Sequence, residues 1–293
     1  MRAVFGVTDD ARRERISRPL RRLLDMLASR RRVLMLALTL GRSGPRSPWG
    51  RFIALRREAD ELLYEEIRAR RADPKGDEGE DIFSLLLAAR DEDGEPLTDS
   101  ELRDELMTLL VAGHETTATA LAWALERLTR TPAVLDRLLA ERREGLDEYL
   151  GAVVKETLRL RPVVPAVVRR LQAPMTFGPW DLPAGVHIAP SIYLMHRRPD
   201  IYAEPLAFRP ERFLGDDPPG TYEWIPFGGG VRRCLGASFA MFEMQVVLAA
   251  VLDSVRLRPA SPRTSESVTR RAITFAPSRG GRIGVGARAA SAH

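Results

Sequence analysis

The sequence predicts a mainly α-helical chain with a minor β part, and three observations carry that reading. A run of apolar residues at helical spacing extends from Thr98 to Arg130. A second apolar helix spans about 236–253, followed by a short strand pair over roughly 254–285. Between these lies a stretch, 163–226, in which short apolar segments are punctuated by glycine and proline, the signature of brief strands, turns and coil.

Taken in order, residues 8–35 and 51–72 read as Arg-rich amphipathic helices separated by GRSGPRSPWG at 41–50, with Ile53, Leu62, Leu63 and Ile67 on one face of the second. DPKGDEGED, 73–81, is a charged linker. A short helix at 81–90 and the turn DEDGEP follow. Thr98 and Glu101 then form a capping box, a hydroxyl at the cap and a carboxylate three residues on. Leu102, Leu106, Leu109, Leu110, Ala120, Leu121, Ala124, Leu125 and Leu128 keep the period until Thr131–Pro132 stops it. Some 32 residues at 1.5 Å each make a rod of about 48 Å. Helices at 133–143 and 146–161 come next, the latter ended by Pro162, and LPAG at 182–185 marks a tight turn.

A chain of 293 residues, 44% hydrophobic, is long enough for a sizeable core in one large domain or two ordinary ones. A single cysteine excludes an internal disulfide and a Cys-rich zinc site, and fits a reducing compartment. The net charge is +5, but only Lys75 and Lys155 are lysines and the arginines are spread along the chain among 40 acidic residues. No basic patch alternates with aromatics, so nucleic acid is not the expected partner. VLMLALTL at 33–40, read as the most apolar stretch, is far shorter than the roughly 20 residues a membrane helix needs. The expectation is a cytoplasmic protein with no span.

Three places carry chemistry. AGHETTATA, 112–120, puts a glycine, an acid and hydroxyls inside an apolar rod, which suggests a local groove; Glu115 beside Thr116 suits proton delivery to a ligand, and a solvated kink is the rival reading. His114 lacks the second histidine of a His-Glu-x-x-His zinc motif. KETLRLRP, 155–162, sets Glu156 and Arg159 on one helix face, a surface pair unless Arg212 in FRPERF joins them. FGGGVRRCLGASFA, 227–240, places Cys234 behind three glycines and two arginines at the head of an apolar helix. A helix N-terminus favours a thiolate. A nucleophile lacks a partnered base, since neither His187 nor His196 sits in a recognisable motif, and an inert buried cysteine leaves the glycines and Arg232 unexplained. A thiolate ligand to an iron porphyrin accounts for all of them.

In order and spacing, AGHETT, ETLR, FRPERF and FGGGVRRCLG resemble the four motifs of the cytochrome P450 superfamily, and the resemblance covers essentially the whole chain as a single domain. It implies that fold without its N-terminal third, because relatives run to roughly 400 residues or more and MRAVFGVTDD resembles the middle of their helical region. Residues 1–72 then correspond to lid-type helices. By resemblance, Cys234 is the proximal ligand of haem b, and Phe227, Gly228 and Gly236 shape its loop. Arg232 meets a haem propionate, as Arg169 does by a looser match. Glu115 and Thr116 deliver protons for dioxygen activation, and Ala112 and Gly113 border the oxygen groove. Glu156, Arg159 and Arg212 form a structural triad. The implied activity is insertion of one oxygen atom from O2 into a small apolar substrate, with electrons from NAD(P)H through a ferredoxin- or flavodoxin-type donor. The alternatives are a non-catalytic remnant holding haem weakly or not at all, and peroxide-driven chemistry. Arg198 departs from the family, which often has aspartate there.

Overall fold

The computed structural model describes residues 2–6, 9–27, 30–41, 44, 46–73, 79, 81–261 and 264–287. It divides into two compact units, 1–114 and 115–293. Most of the charged linker expected at 73–81 lies outside the described residues.

The first unit is helical: α1 (Arg2–Phe5), α2 (Asp10–Leu27), α3 (Arg30–Leu38), α4 (Pro48–Ala72), α5 (Ile82–Ala88) and the first half of α6 (Asp99–Arg130). The stretch 8–35, expected as one helix, is helical over Asp10–Leu27 and from Arg30 onward, and residues 28–29 lie outside the described residues. Ser47 caps α4 by accepting from the Gly50 N–H, and Asp81 caps α5 through the Ser84 N–H. The apolar faces of α2 and α4 meet at Ile16, Leu20, Leu23, Ala59, Leu63 and Ile67, joined by Phe5, Phe83, Leu102 and Leu106. Arg70 binds the unit's ends together: it donates to the Phe5 carbonyl at 2.7 Å and to Asp81 at 3.0 Å, and lies over the Phe83 ring at 5.3 Å. Arg103 grips Asp60 with two parallel hydrogen bonds of 2.9 and 2.6 Å, fixing α6 to α4.

The second unit continues α6 and adds α7 (Pro132–Arg143), α8 (Glu148–Leu160), the short α9 (Ile192–Met195) and α10 (Ala237–Ser254). Its strands are β1 (Arg169–Arg170), β2 (Met175–Phe177), β3 (Trp180–Leu182), β4 (His187–Ile188), β5 (Val255–Pro259), β6 (Val268–Arg271), β7 (Thr274–Pro277) and β8 (Ile283–Ala287). All pair antiparallel in twos: β1 with β4, β2 with β3, β5 with β8 and β6 with β7. The C-terminal strand pair expected from sequence is therefore two pairs, β6–β7 nested between β5 and β8 in the chain. The coil expected over 163–226 also contains α9 and a 3-10 turn, Pro210–Phe213. The core is built on α8, whose buried face includes Val153, Val154 and Leu158, against Leu128 of α6, Leu138 of α7, and Met244, Leu248 and Leu252 of α10. Helix α10 is long and apolar enough, by length and composition, to cross a membrane. The expectation of no such stretch rested on 33–40 and is corrected by this helix, although Ala237, Met244, Leu248 and Leu252 give it the buried face of a core helix.

The capping box at the head of α6 is made in full. The Thr98 N–H donates to Glu101 Oε2 at 2.8 Å, and the Glu101 N–H returns to Thr98 Oγ1 at 3.3 Å. Thr98→Ala is expected to lower stability by about 1 kcal/mol, read from the midpoint of urea unfolding.

Candidate functional site

Glu156 and Arg159 sit on the buried face of α8, both with 0% of their surface exposed. Arg159 donates to the two carboxylate oxygens of Glu156 at 2.6 and 2.8 Å. Its remaining N–H groups go to the carbonyls of His196 at 2.6 Å, Pro205 at 2.8 Å and Ala207 at 3.1 Å. Every one of the five guanidinium donors is thereby used. Glu156 Oε1 also accepts from the Arg209 N–H at 2.8 Å and from Arg212 Nε at 3.2 Å. The structure thus brings the three residues singled out on helix and coil together, with Tyr202 beneath both arginines at 4.9 and 5.7 Å from its ring centre. Buried charges are tolerated here because the guanidinium is satisfied and both carboxylate oxygens accept hydrogen bonds.

The segment entering the cysteine loop hangs from this hub. Tyr202 Oη donates to the Glu223 carbonyl at 2.9 Å, and Trp224 Nε1 to the Lys155 carbonyl at 3.0 Å. The Ile225 N–H donates to His196 Nε2 at 2.9 Å. Phe227 is half-buried, edge-on to Trp224 at 6.0 Å, and packs against the core. The loop is then closed by Gly228 N–H to the Ile225 carbonyl, 3.0 Å, and Cys234 N–H to the Phe227 carbonyl, 3.0 Å. Gly228 and Gly230 have φ of +70° and +65°, conformations that side-chain-bearing residues rarely adopt. Their first role is thus to let the chain reverse. At Gly229 a Cβ would make ordinary contact with the Tyr222 ring at 3.5 Å.

Cys234 is exposed two residues ahead of Gly236, the N-cap of α10. It is flanked by Val231 and Leu235, whose side chains are essentially bare at 102% and 96% exposure, and by exposed Arg232 and Arg233. Arg169, exposed on β1, belongs to the run that passes the loop, because a Cβ on Gly228 would lie 4.0 Å from Val167 Cγ1. Arg198 is exposed and paired with Asp200. On α6, Glu115 and Thr116 are half-buried in the second unit, with Thr117 buried behind them. Ala112 and Gly113 are exposed in the first unit, and a Cβ on Gly113 would meet nothing within 4 Å.

An iron porphyrin brings four nitrogen ligands of its own and asks the protein for one axial donor. The residues fit that group. The loop offers a single accessible sulfur between apolar side chains, with cationic side chains for carboxylates, and no cluster of three His, Cys, Asp or Glu competes among the described residues. Residues 1–280 match the protein-family model described as Cytochrome P450. The chain belongs to the cytochrome P450 family. Members of that family bind haem b. A Mycobacterium tuberculosis protein named "Putative cytochrome P450 137" is 42% identical over 283 residues, which cover 97% of this chain and 59% of that one. Another from the same organism, "Putative cytochrome P450 135A1", is 38% identical over 97% of this chain and 62% of its own length. The chain therefore spans about three-fifths of the curated relatives it matches. Among solved P450 structures, retinoic acid-bound cyanobacterial CYP120A1 superposes with a TM-score of 0.80 at 27% identity, over 98% of this chain and 66% of that one. The cytochrome P450DA haem domain gives 0.77 at 26% identity, over 94% and 61%.

Sequence reasoning considered His196 only as a base for the thiol and passed over Tyr202 and Trp224. All three lie in the stretch from MHRRP to WIPF, where short elements leave no periodicity to read. Their signal was compositional: aromatic and imidazole side chains in a proline-rich coil.

Glu156→Gln is expected to cost about 3–5 kcal/mol in chemical denaturation, because Arg159 stays buried without its counter-charge. Burial, and then the charges of Arg159 and Arg197, push His196 down to about 4, from the usual 6.5, against the hydrogen bond to the Arg159 carbonyl. The folded ring is neutral where the unfolded one is charged, so its contribution is full above pH 6.5 and is lost as pH falls toward 4. A loss of up to about 3 kcal/mol across that window is expected in wild type and is absent in His196→Gln, read from urea midpoints at stepped pH.

Proposed function

We propose that this chain carries the haem-binding and oxygen-activating part of a monooxygenase that inserts one atom of O2 into a small apolar organic substrate. The observation that supports it most is Cys234, exposed on a glycine loop whose entry is tied to a hydrogen-bonded Glu156–Arg159–Arg212 hub. When bound, haem supplies the redox-active iron that activates dioxygen. Cys234 would supply the thiolate, and Phe227 would pack near it and moderate its donation to the iron. Arg232 and Arg169 offer cations to the propionates. Glu115 would hold a proton and Thr116 would pass it toward dioxygen. The exposed Arg232 and Arg233 suit an acidic ferredoxin- or flavodoxin-type donor fed by NAD(P)H. A cytoplasmic location goes with this reading.

A second reading, a P450 chain that does not retain haem, draws on the bare outer face of α10, where Phe239, Phe242 and Val246 are exposed. Stoichiometric haem after purification, with one cooperative melt, argues against it. The reduced protein with carbon monoxide is expected to show the red-shifted Soret band of thiolate ligation, and Cys234→Ala to abolish it. A histidine-type spectrum in wild type overturns the proposal. Thr116→Ala is expected to lower product formed per O2 consumed while leaving that band in place. Product formed from hydrogen peroxide alone, unaffected by Thr116→Ala, would instead mark peroxide-driven chemistry.

A further inference from the structure

His196 is completely buried, and no part of the proposed oxygen chemistry uses it. Its backbone and side chain both engage Arg159. Arg159 Nη1 donates to the His196 carbonyl at 2.6 Å, and His196 Nδ1 stands 3.1 Å from the Arg159 carbonyl. The other ring nitrogen, Nε2, accepts from the Ile225 N–H at 2.9 Å. An N–H pointing at Nε2 requires a lone pair there, so the proton is on Nδ1 and the Nδ1–H donates to Arg159. The imidazole is therefore a two-ended strut between the hub and the residue nine places ahead of Cys234. From Ile225 the connection continues through its carbonyl to the Gly228 N–H, and from the Phe227 carbonyl to the Cys234 N–H.

We propose that His196 is a positioning residue for Cys234, its neutral ring carrying the placement of the Glu156–Arg159 hub into the cysteine loop. That Cys234 ligates haem rests on the function proposed above; the strut itself does not. Two other bonds hold the same segment, from Tyr202 Oη and Trp224 Nε1, but both end on carbonyls at Glu223 and Lys155, upstream of the loop's first turn. Among the described residues, the His196 bond is the one that ties Ile225 to the hub, and its acceptor is one that a proton can abolish. The charged groups acting on the ring are Arg159 from α8 and the next residue, Arg197, and the ring also meets the edge of Tyr202 at 6.3 Å. Two like charges and burial keep the ring neutral. Protonation would turn Nε2 into a donor facing the Ile225 donor, and the loop would lose its anchor.

The experiment compares wild type with His196→Phe, which keeps bulk and removes both bonds, His196→Gln, which keeps an acceptor, and Tyr202→Phe, which removes a neighbouring bond. Amide hydrogen exchange over 225–234 and the alkylation rate of Cys234 are measured on the chain without haem, and the carbon monoxide spectrum on the haem-loaded chain. His196→Phe is expected to speed exchange at Ile225 and Cys234 by about tenfold or more, the factor for one lost bond of about 1.4 kcal/mol, and to raise alkylation. Gln restores most of the protection, and Tyr202→Phe changes Ile225 little. Unchanged exchange in a folded Phe variant, or a Gln variant as fast as Phe, overturns the proposal. Should the Phe variant fail to fold, wild type alone decides. Protection at Ile225, corrected for intrinsic rate, should fall below pH about 4 while the Arg161 N–H, bonded to the Thr157 carbonyl at 2.8 Å, keeps its own; parallel behaviour of the two overturns it. A loosened loop in a chain with no thiolate-type spectrum leaves the strut standing and removes the haem reading.

Discussion

The buried pair of Glu156 and Arg159 is the interaction on which the second unit is assembled. An ion pair at helical i, i+3 spacing is worth little on a surface, and replacing a buried one by apolar residues is often harmless to stability. Its value here is geometric. A planar guanidinium with five fixed donors can satisfy a carboxylate and three carbonyls from separate turns at once, and no apolar side chain reproduces that set of directions. Helix α8 supplies the rigid platform, and the long coil from Arg197 to Pro226 is draped over it at defined points.

That arrangement explains why a reactive loop can be held in place by elements with so little regular structure. The cysteine loop has no ladder or helix of its own beyond one 3-10 turn, Gly230–Arg232. Its position is inherited at one end from Trp224 and Phe227 packing on the core, and at the other from α10. The two left-handed glycines let the chain turn sharply between those anchors. The thiol is thereby offered outward while its backbone N–H remains engaged.

Much of this was legible in the sequence wherever periodicity or a local rule operated. The long helix was readable from its capping box and its terminal proline, and α8 and α10 from their apolar spacing. Glu156, Arg159 and Arg212 were readable as a set only because motif order placed them together; spacing alone favoured a surface pair. The nesting of β6 and β7 inside β5 and β8 depends on pairings between residues up to about thirty apart, which no local pattern encodes. His196 escaped because its role is set by two backbone partners, one 37 residues before it and one 29 after.

The coil between Arg197 and Pro226 contains Pro199, Pro205, Pro210, Pro218, Pro219 and Pro226, each of which brings a carbonyl without an N–H. Such a segment has fewer backbone donors than acceptors, which leaves carbonyls for side-chain donors. Arg159 and Arg212 make up the shortfall, donating to the carbonyls of His196, Ala203, Pro205 and Ala207. The preference for arginine over lysine along this chain looks like a coding bias in composition, but at these two positions the branched guanidinium matters, because each one reaches a carboxylate and separate carbonyls that a single ammonium could not span together.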